Sequence, residues 1–151
     1  MLKHIHPLLT PELLKVLAEM GHGDEIVLAD ANFTAHTLAT RRPVLHWPGV
    51  SMEEACEAVL SVLPLDEAVA QPVACMQVGG SAPGYLSALQ RRVVQALADR
   101  GDARPAQCQA TERFAFYDRA RQAFAIVQTG ELQPYANFLF KKGVIAQPLE
   151  P

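Results

Sequence analysis

A histidine held between two glycines opens the most chemically suggestive stretch of the chain. Met20-Gly21-His22-Gly23-Asp24 leads into the apolar run Ile26-Val27-Leu28-Ala29, which ends on Asp30. Imidazole titrates near neutral pH, so His22 supplies an acid-base group. Asp30 follows a short apolar run that reads as a strand, and the carboxyl ends of strands are where open α/β sheets meet their ligands. Each residue also has a structural reading. Histidines near helix ends are often only hydrogen-bonded, although flanking glycines let backbone and ring approach a ligand closely. Asp30 equally suits the cap of the turn that follows it.

Further along, Arg113 and Tyr117 are four residues apart and share a face if their segment is helical. Tyr135-Ala136-Asn137 places a phenol and a carboxamide just before another apolar run, both able to donate and accept hydrogen bonds. Arg113 also reads as a surface residue or an ion-pair partner, and Tyr135 to Asn137 as an ordinary turn. Together, one histidine, one aspartate, one arginine, two tyrosines and an asparagine suit an uncharged, hydroxyl-rich ligand.

Other chemistries lack their signatures. The net charge of −3 offers no attraction to a polyanion, so nucleic acid is not an expected partner. Gly79-Gly80-Ser81-Ala82-Pro83-Gly84 has phosphate-loop glycines without the lysine that must follow, and Gly21-His22-Gly23 does not extend to a dinucleotide fingerprint. There is no Gly-x-Ser-x-Gly elbow. Metal is disfavoured too: no Cys-x-x-Cys or His-x-x-x-His pair exists, and His4 with His6 is an isolated spacing near a terminus. Three widely spaced cysteines, Cys56, Cys75 and Cys108, suit a reducing compartment. No segment approaches the ~20 apolar residues a bilayer requires, and the N-terminus lacks a signal-peptide stretch. A cytoplasmic protein without membrane contact is expected.

These candidates need elements to position them. The 151 residues allow one compact domain spanning 1–151, and 50% hydrophobic content with 19% charge leaves apolar surface to share between subunits. Thr10-Pro11-Glu12 opens a helix, followed by Leu13, Leu14, Leu17 and Met20 at helical spacing and stopped by Gly21. Glu25 to Asp30 reads as a buried strand, so His22 precedes it and Asp30 follows it. The two ends of such a strand are ~13 Å apart, and side chains there need a loop or a neighbouring subunit to converge. Residues 31 to 50 read as loop with a short strand around Val44-Leu45, and His36 and His46 as solvent-facing. Ser51 with Glu54 forms a capping box for a helix ended by Pro64. Val73 to Val78 is a second strand, and a helix is expected from about Pro83 to Asp99. Residues 100 to 109 read as irregular, Arg113 to Ala120 as a short helix, and Ala123 to Val127 and Asn137 to Phe140 as strands. The alternation predicts an α/β protein, a three-layer α/β/α arrangement around a partly parallel mixed sheet.

The pieces Leu8-Leu9 through Gly21-His22-Gly23-Asp24, Asp30, Arg113-Phe114-Ala115-Phe116-Tyr117, Ala123 to Glu131, and Tyr135-Ala136-Asn137 with Lys142-Gly143 carry a resemblance. In order and spacing they are similar to the D-ribose pyranase and L-fucose mutarotase family, closest to the L-fucose mutarotase branch. That resemblance implies His22 as proton donor, with Asp30, Arg113, Tyr135, Ala136 and Asn137 binding the sugar. It also implies a ring-forming homo-oligomer, commonly a decamer, with sites near subunit contacts. Two features resemble the ribose branch instead: Ala136 within Tyr-Ala-Asn, and the Pro48-Gly49-Val50 end of the long loop. Asn32 stands where the fucose branch often has histidine.

The expected activity is interconversion of the cyclic forms of a monosaccharide, L-fucose foremost, by acid-base ring opening. Tyr117 would be the second proton-transfer group, and no metal, nucleotide or other cofactor is required. The rival readings are a non-catalytic sugar-binding accessory or sensor, an interaction module whose polar residues are structural, and, within the enzyme class, D-ribose pyranase-type activity.

Overall fold

In the computed structural model, which describes residues 2–148, Thr10 Oγ1 accepts the Leu13 amide at 3.2 Å and Pro11 fills the first turn of helix α1 (Pro11–Glu19). A proline there removes an amide that had no helical partner anyway. The chain then turns through Gly21 to Asp24. Gly21 N donates to the Asp24 carboxylate at 2.7 Å, and Gly23 takes φ +83°, a left-handed conformation that glycine adopts without strain. Strand β1 (Glu25–Ala29) follows, and then the single helical turn α2 (Ala35–Leu38), strand β2 (Val44–Trp47) and helix α3 (Met52–Leu60). Ser51 and Glu54 form the expected reciprocal capping box on α3.

The second half contains β3 (Val73–Met76), α4 (Ala88–Arg100), β4 (Cys108–Thr111), α5 (Arg113–Gln122), β5 (Ala125–Thr129) and β6 (Phe138–Lys141). Three sequence expectations are corrected here. Helix α4 starts at Ala88 rather than near Pro83, because Ser87 and Gln90 form a second capping box that fixes its first turn. The stretch from 31 to 50 contains α2, a turn too short to show a helical period. Residues 100 to 109 include a 3₁₀ turn (Pro105–Gln107) and the start of β4, an edge strand paired on one side only, to β3.

The six strands form one mixed sheet in the order β2-β5-β1-β6-β3-β4. Five are mutually parallel. Strand β6 alone runs antiparallel, wedged between β1, where Val27 faces Leu139, and β3, where Ala74 faces Leu139. Side chains alternate across the pleat. Ile26, Leu28, Val73, Phe138 and Phe140 pack on one face beneath α1, α3 and α4, while Val27, Ala74, Met76, Ile126 and Leu139 pack on the other beneath α2 and α5. The protein is thus a three-layer α/β/α fold with a core on each side of the sheet.

The connection from β5 to β6 has no helix. It passes over the carboxyl end of β1, and that path decides where residues 130–137 lie. At the other end of β6, the Gly23 amide donates to Lys142 O at 2.8 Å and Lys142 Nζ donates to the carbonyls of Leu17 and Met20, so the histidine-bearing turn is anchored to the end of α1.

Phe138 is fully buried in the central antiparallel strand, whereas Phe114 is 66% exposed. Phe138→Ala is expected to lower unfolding free energy by about 3–5 kcal/mol. Phe114→Ala should change it by no more than about 0.5 kcal/mol. Urea unfolding of both variants checks the contrast, and equal losses would contradict this core.

Candidate active site

Strands β1 and β3 lead into connections that run to opposite sides of the sheet, and the crevice outside their carboxyl ends is where an α/β sheet of this kind offers a ligand site. Asn137, immediately before β6, closes this crevice from below. Its Nδ2 donates to Asp30 Oδ2 at 2.9 Å, and its Oδ1 accepts the Asp30 amide at 2.8 Å. Its backbone carbonyl accepts from Met76 N at 3.0 Å. The second Asp30 oxygen accepts the Asn32 amide at 2.9 Å. Burial pushes the Asp30 carboxyl above the usual carboxylate range, while the hydrogen bonds from Asn137 and the Asn32 amide pull it back and the nearby Glu131 charge raises it further.

Helix α5 supplies the opposite wall. Its cap is Glu112, whose carboxylate accepts the amides of Phe114 and Ala115, so Arg113 projects from the first turn. Arg113 Nε donates to the Tyr117 phenol at 3.0 Å, one turn on, and the guanidinium lies 5.3 Å from the Tyr117 ring centroid. Tyr117 packs edge-on against Phe33. Tyr135 comes from the loop above, with φ +64°, a conformation that side chains other than glycine rarely hold.

Asp30, Arg113, Tyr117, Tyr135 and Asn137 therefore line one cavity of about 220 Å³, its walls completed by Asn32, Phe33, Met76 and Pro134. The space is below the roughly 300–1,000 Å³ typical of drug-sized ligands. It is suited to a single small molecule with several hydroxyls, which can both give protons to the carboxylate and accept them from the guanidinium, carboxamide and phenols.

Two of the sequence candidates are elsewhere. His22 belongs to the turn before β1, at the opposite end of that strand. Its Nε2 lies 3.2 Å from Asp66 Oδ1, and its side chain is 53% exposed. The Ala68 amide and then His22 hold the Asp66 carboxyl below the usual range, so it is ionised at neutral pH. The pairing favours the proton on Nε2 and leaves Nδ1 as the free nitrogen. Ala136 has its methyl in the core beneath α1, α3 and α4, with no exposure, and does not line the cavity. The alternation that directs Tyr135 and Asn137 one way directs Ala136 the other.

The remaining chemistry narrows the choice. Among the described residues, no group of three or more histidine, cysteine, aspartate or glutamate side chains could hold a metal ion, and no helix is long and apolar enough to cross a membrane. Burial pushes the Cys75 thiol up to about 12 and the Cys108 thiol up to about 11, far from the range of a reactive thiolate. His36 and His46 are both exposed and meet each other, Nε2 to Nε2, at 2.9 Å.

Comparison with known proteins identifies the family. A model of the RbsD / FucU transport protein family matches residues 3–145. The chain belongs to that family. An L-fucose mutarotase of Glaesserella parasuis is 48% identical over 145 residues, covering 95% of this chain and 96% of the relative. One from Actinobacillus pleuropneumoniae is 44% identical, covering 95% and 97%. Among solved structures, a Streptococcus pneumoniae fucose mutarotase in complex with L-fucose superposes with a TM-score of 0.85 at 36% identity, over 96% of this chain and all of that one. Bacillus subtilis RbsD, at 22% identity and a TM-score of 0.71, shares the fold.

In this RbsD / FucU chain, several residues at the two candidate centres carry no signal in the sequence. Phe33 and Met76 read there as loop and strand, and Pro134 and Asp66 have no reading of their own. Each gains its place only from long-range packing.

The raised Asp30 carboxyl gives a signed prediction. In the pH window between the ordinary value of about 3.9 and the higher folded one, the folded state binds more protons than the unfolded state, so this carboxyl's contribution to stability falls as pH rises. Wild type should therefore lose stability relative to Asp30→Asn from pH 4 upward, with the difference levelling off once the folded carboxyl is ionised. Urea unfolding of both proteins across pH 4 to 8 measures it, and a difference that grows in favour of wild type would show the sign to be wrong.

Proposed function

We propose that this protein is a mutarotase for a monosaccharide, L-fucose foremost, that opens and recloses the sugar ring by proton transfer. The observation that carries this reading is the convergence of Asp30, Arg113, Tyr117, Tyr135 and Asn137 on one small cavity, in a chain 44–48% identical to L-fucose mutarotases. Asp30 and Arg113 orient hydroxyls, and Asn137 holds the Asp30 carboxylate while presenting its own carboxamide. Tyr135 covers the sugar from the loop.

Ring opening breaks the C1–O5 bond. The electron pair goes to O5, which takes a proton from Nδ1 of the protonated imidazole ring, whose Nε2–H stays on Asp66. The anomeric hydroxyl gives its proton to the second proton-transfer group and becomes the carbonyl. Tyr117, whose phenolic oxygen accepts from Arg113, is the second proton-transfer group. Closure on either face of the carbonyl reverses these steps and yields either anomer. Positioned acid-base catalysis contributes about 10² to 10⁴-fold, enough for a reaction that sugars already undergo in water.

The imidazole is that of His22 from a second copy of the chain. Phe114 and Leu132, 66% and 74% exposed, leave apolar surface at the cradle end, and Val144 and Ile145, 60% and 90% exposed, leave it beyond β6 near the histidine turn. A head-to-tail contact between these unlike surfaces covers both, and repeated contacts of that kind close into a ring. The homo-oligomer, with a decamer as the expected ring, thereby assembles its own sites. Its three free cysteines suit the reducing cytoplasm.

A second reading has one observation in its favour. A single copy keeps His22 away from the cradle, as a sugar-binding accessory or sensor that catalyses nothing would. Magnetization-exchange NMR separates the two. Wild type should accelerate exchange between the anomer signals of L-fucose, and His22→Ala should lose about 10² to 10⁴-fold of that while still binding the sugar. Co-refolding His22→Ala with Arg113→Ala in equal amounts should restore about a quarter of the sites, those pairing an intact histidine with an intact cradle. Saturable binding without accelerated exchange would favour the sensor, and no recovery in the mixture would place the histidine within its own subunit's site.

A further inference from the structure

Gln90 is the one fully buried polar side chain on α4, and its amide group serves both its own helix cap and two structures that meet over the cradle. Its Oε1 accepts the Ser87 amide at 2.9 Å, which completes the helix cap. Its Nε2 donates twice, to the Met76 carbonyl at 2.7 Å and to the Tyr135 carbonyl at 2.9 Å. Capping needs only the oxygen. The two N–H groups do something else: they join the end of β3 to the loop that carries Tyr135. Beside them, Gln133 Nε2 donates to Ser87 Oγ at 2.8 Å, so the same loop is held to the start of α4 at a second point.

What this clamp holds is a conformation that the loop would not keep on its own. Tyr135 is at φ +64°, where a Cβ crowds the backbone. Such a residue persists when its surroundings over-determine it. The ring is constrained independently: a Cβ added at Gly79 would lie 2.5 Å from the Tyr135 hydroxyl oxygen, so the phenol rests against a backbone that only glycine leaves open. Gly79 itself does not need a left-handed φ, and alanine there is compatible with the backbone.

We propose that Gln90 is a positioning residue of the site: by donating to the carbonyls of Met76 and Tyr135 it sets the pose of the Tyr135 phenol over the bound sugar, with Gly79 as the floor against which that phenol is seated. The inference rests on the reading that Tyr135 meets a monosaccharide. Gln90 touches no substrate itself and acts through Tyr135.

Gln90→Glu is the informative variant. Glutamate keeps the oxygen that caps α4, so the helix is retained, but where the carboxamide gives two hydrogen bonds to the two carbonyls its carboxyl can give one when protonated and none when ionised. The expected result is a KM for L-fucose raised about ten- to a hundredfold, as for leaving buried hydrogen-bonding groups unpaired, with kcat within about threefold. Lowering the pH through the carboxyl's titration should recover part of the affinity, since the protonated acid donates one hydrogen bond again. Wild type should show no such recovery. Gly79→Ala, on the exposed loop, should raise KM in the same direction without lowering the unfolding midpoint.

Hydrogen exchange of the Ala136 amide, which donates to the Gln133 carbonyl at 3.3 Å, is the readout independent of turnover. It should lose protection in Gln90→Glu while the amides of α4 keep theirs. If wild type accelerates exchange and Gln90→Glu matches it in KM and in loop protection, Gln90 is only a helix cap and the inference is wrong. If wild type neither binds nor interconverts the sugar, the functional reading falls first. Unchanged amide protection in Gln90→Glu would then remove the clamp as well, whereas lost protection would establish it as a holder of the loop alone.

Discussion

The cradle depends on how β6 enters the sheet through Asn137. A helical crossover from β5 would have delivered a parallel strand whose first residue lay at the far end of the sheet. The short, helix-free connection instead delivers an antiparallel strand, so its first residue arrives at the carboxyl ends of β1 and β3. Asn137 then bonds both neighbours at once, by its side chain to Asp30 and by its carbonyl to Met76. The same path lays Tyr135 over the crevice. Topology places these groups together, and two reciprocal hydrogen bonds then fix their mutual orientation.

Unfavourable local choices collect at this point. A carboxylate is buried at Asp30, and a tyrosine is held in a left-handed conformation at Tyr135, an arrangement of the kind that costs about 1–3 kcal/mol. The strand that brings them there offsets this. Phe138, Leu139 and Phe140 are fully buried, and burying a side chain of this size contributes about 1.5–3 kcal/mol. Because β6 is central, covered on both faces and paired on both edges, its apolar payload is available to stabilise whatever its first residues are required to do.

What could be read from the sequence follows from how local each signal is. The Thr10-Pro11 start of α1 and the Ser51–Glu54 box of α3 are complete within four residues, and the structure has both. The equivalent Ser87–Gln90 box was eclipsed by Pro83, which is an equally good helix opener on paper. Strand β4, reading Cys-Gln-Ala-Thr, is an edge with little apolar pattern to announce it. At the cradle, the chemical types of Asp30, Arg113, Tyr117, Tyr135 and Asn137 were legible, and their convergence was supplied by the fold. Asp66 and Gln90 were not legible at all, because their partners His22 and Tyr135 lie 44 and 45 residues away in the chain. Ala136 shows the opposite limit: membership in a three-residue motif did not tell which way its side chain would point.

The separation of His22 from the cradle has a chemical logic of its own. An imidazole and a carboxylate placed side by side in one subunit pair with each other, which would occupy the proton donor and the hydroxyl acceptor before any sugar arrived. In this chain His22 instead pairs with Asp66, a carboxylate at the same end of the sheet, and one ring nitrogen stays free on a half-exposed side chain. Asp30 keeps its oxygens on Asn137 and the Asn32 amide, neutral donors that do not quench its charge. If assembly is what brings the two together, each surface can fold with its own partners satisfied, and the proton donor meets the acceptor only across a cavity wide enough for a sugar to stand between them. On the proposed assembly the acid-base pair would exist only between subunits, and a lone subunit would retain a cradle without its proton donor.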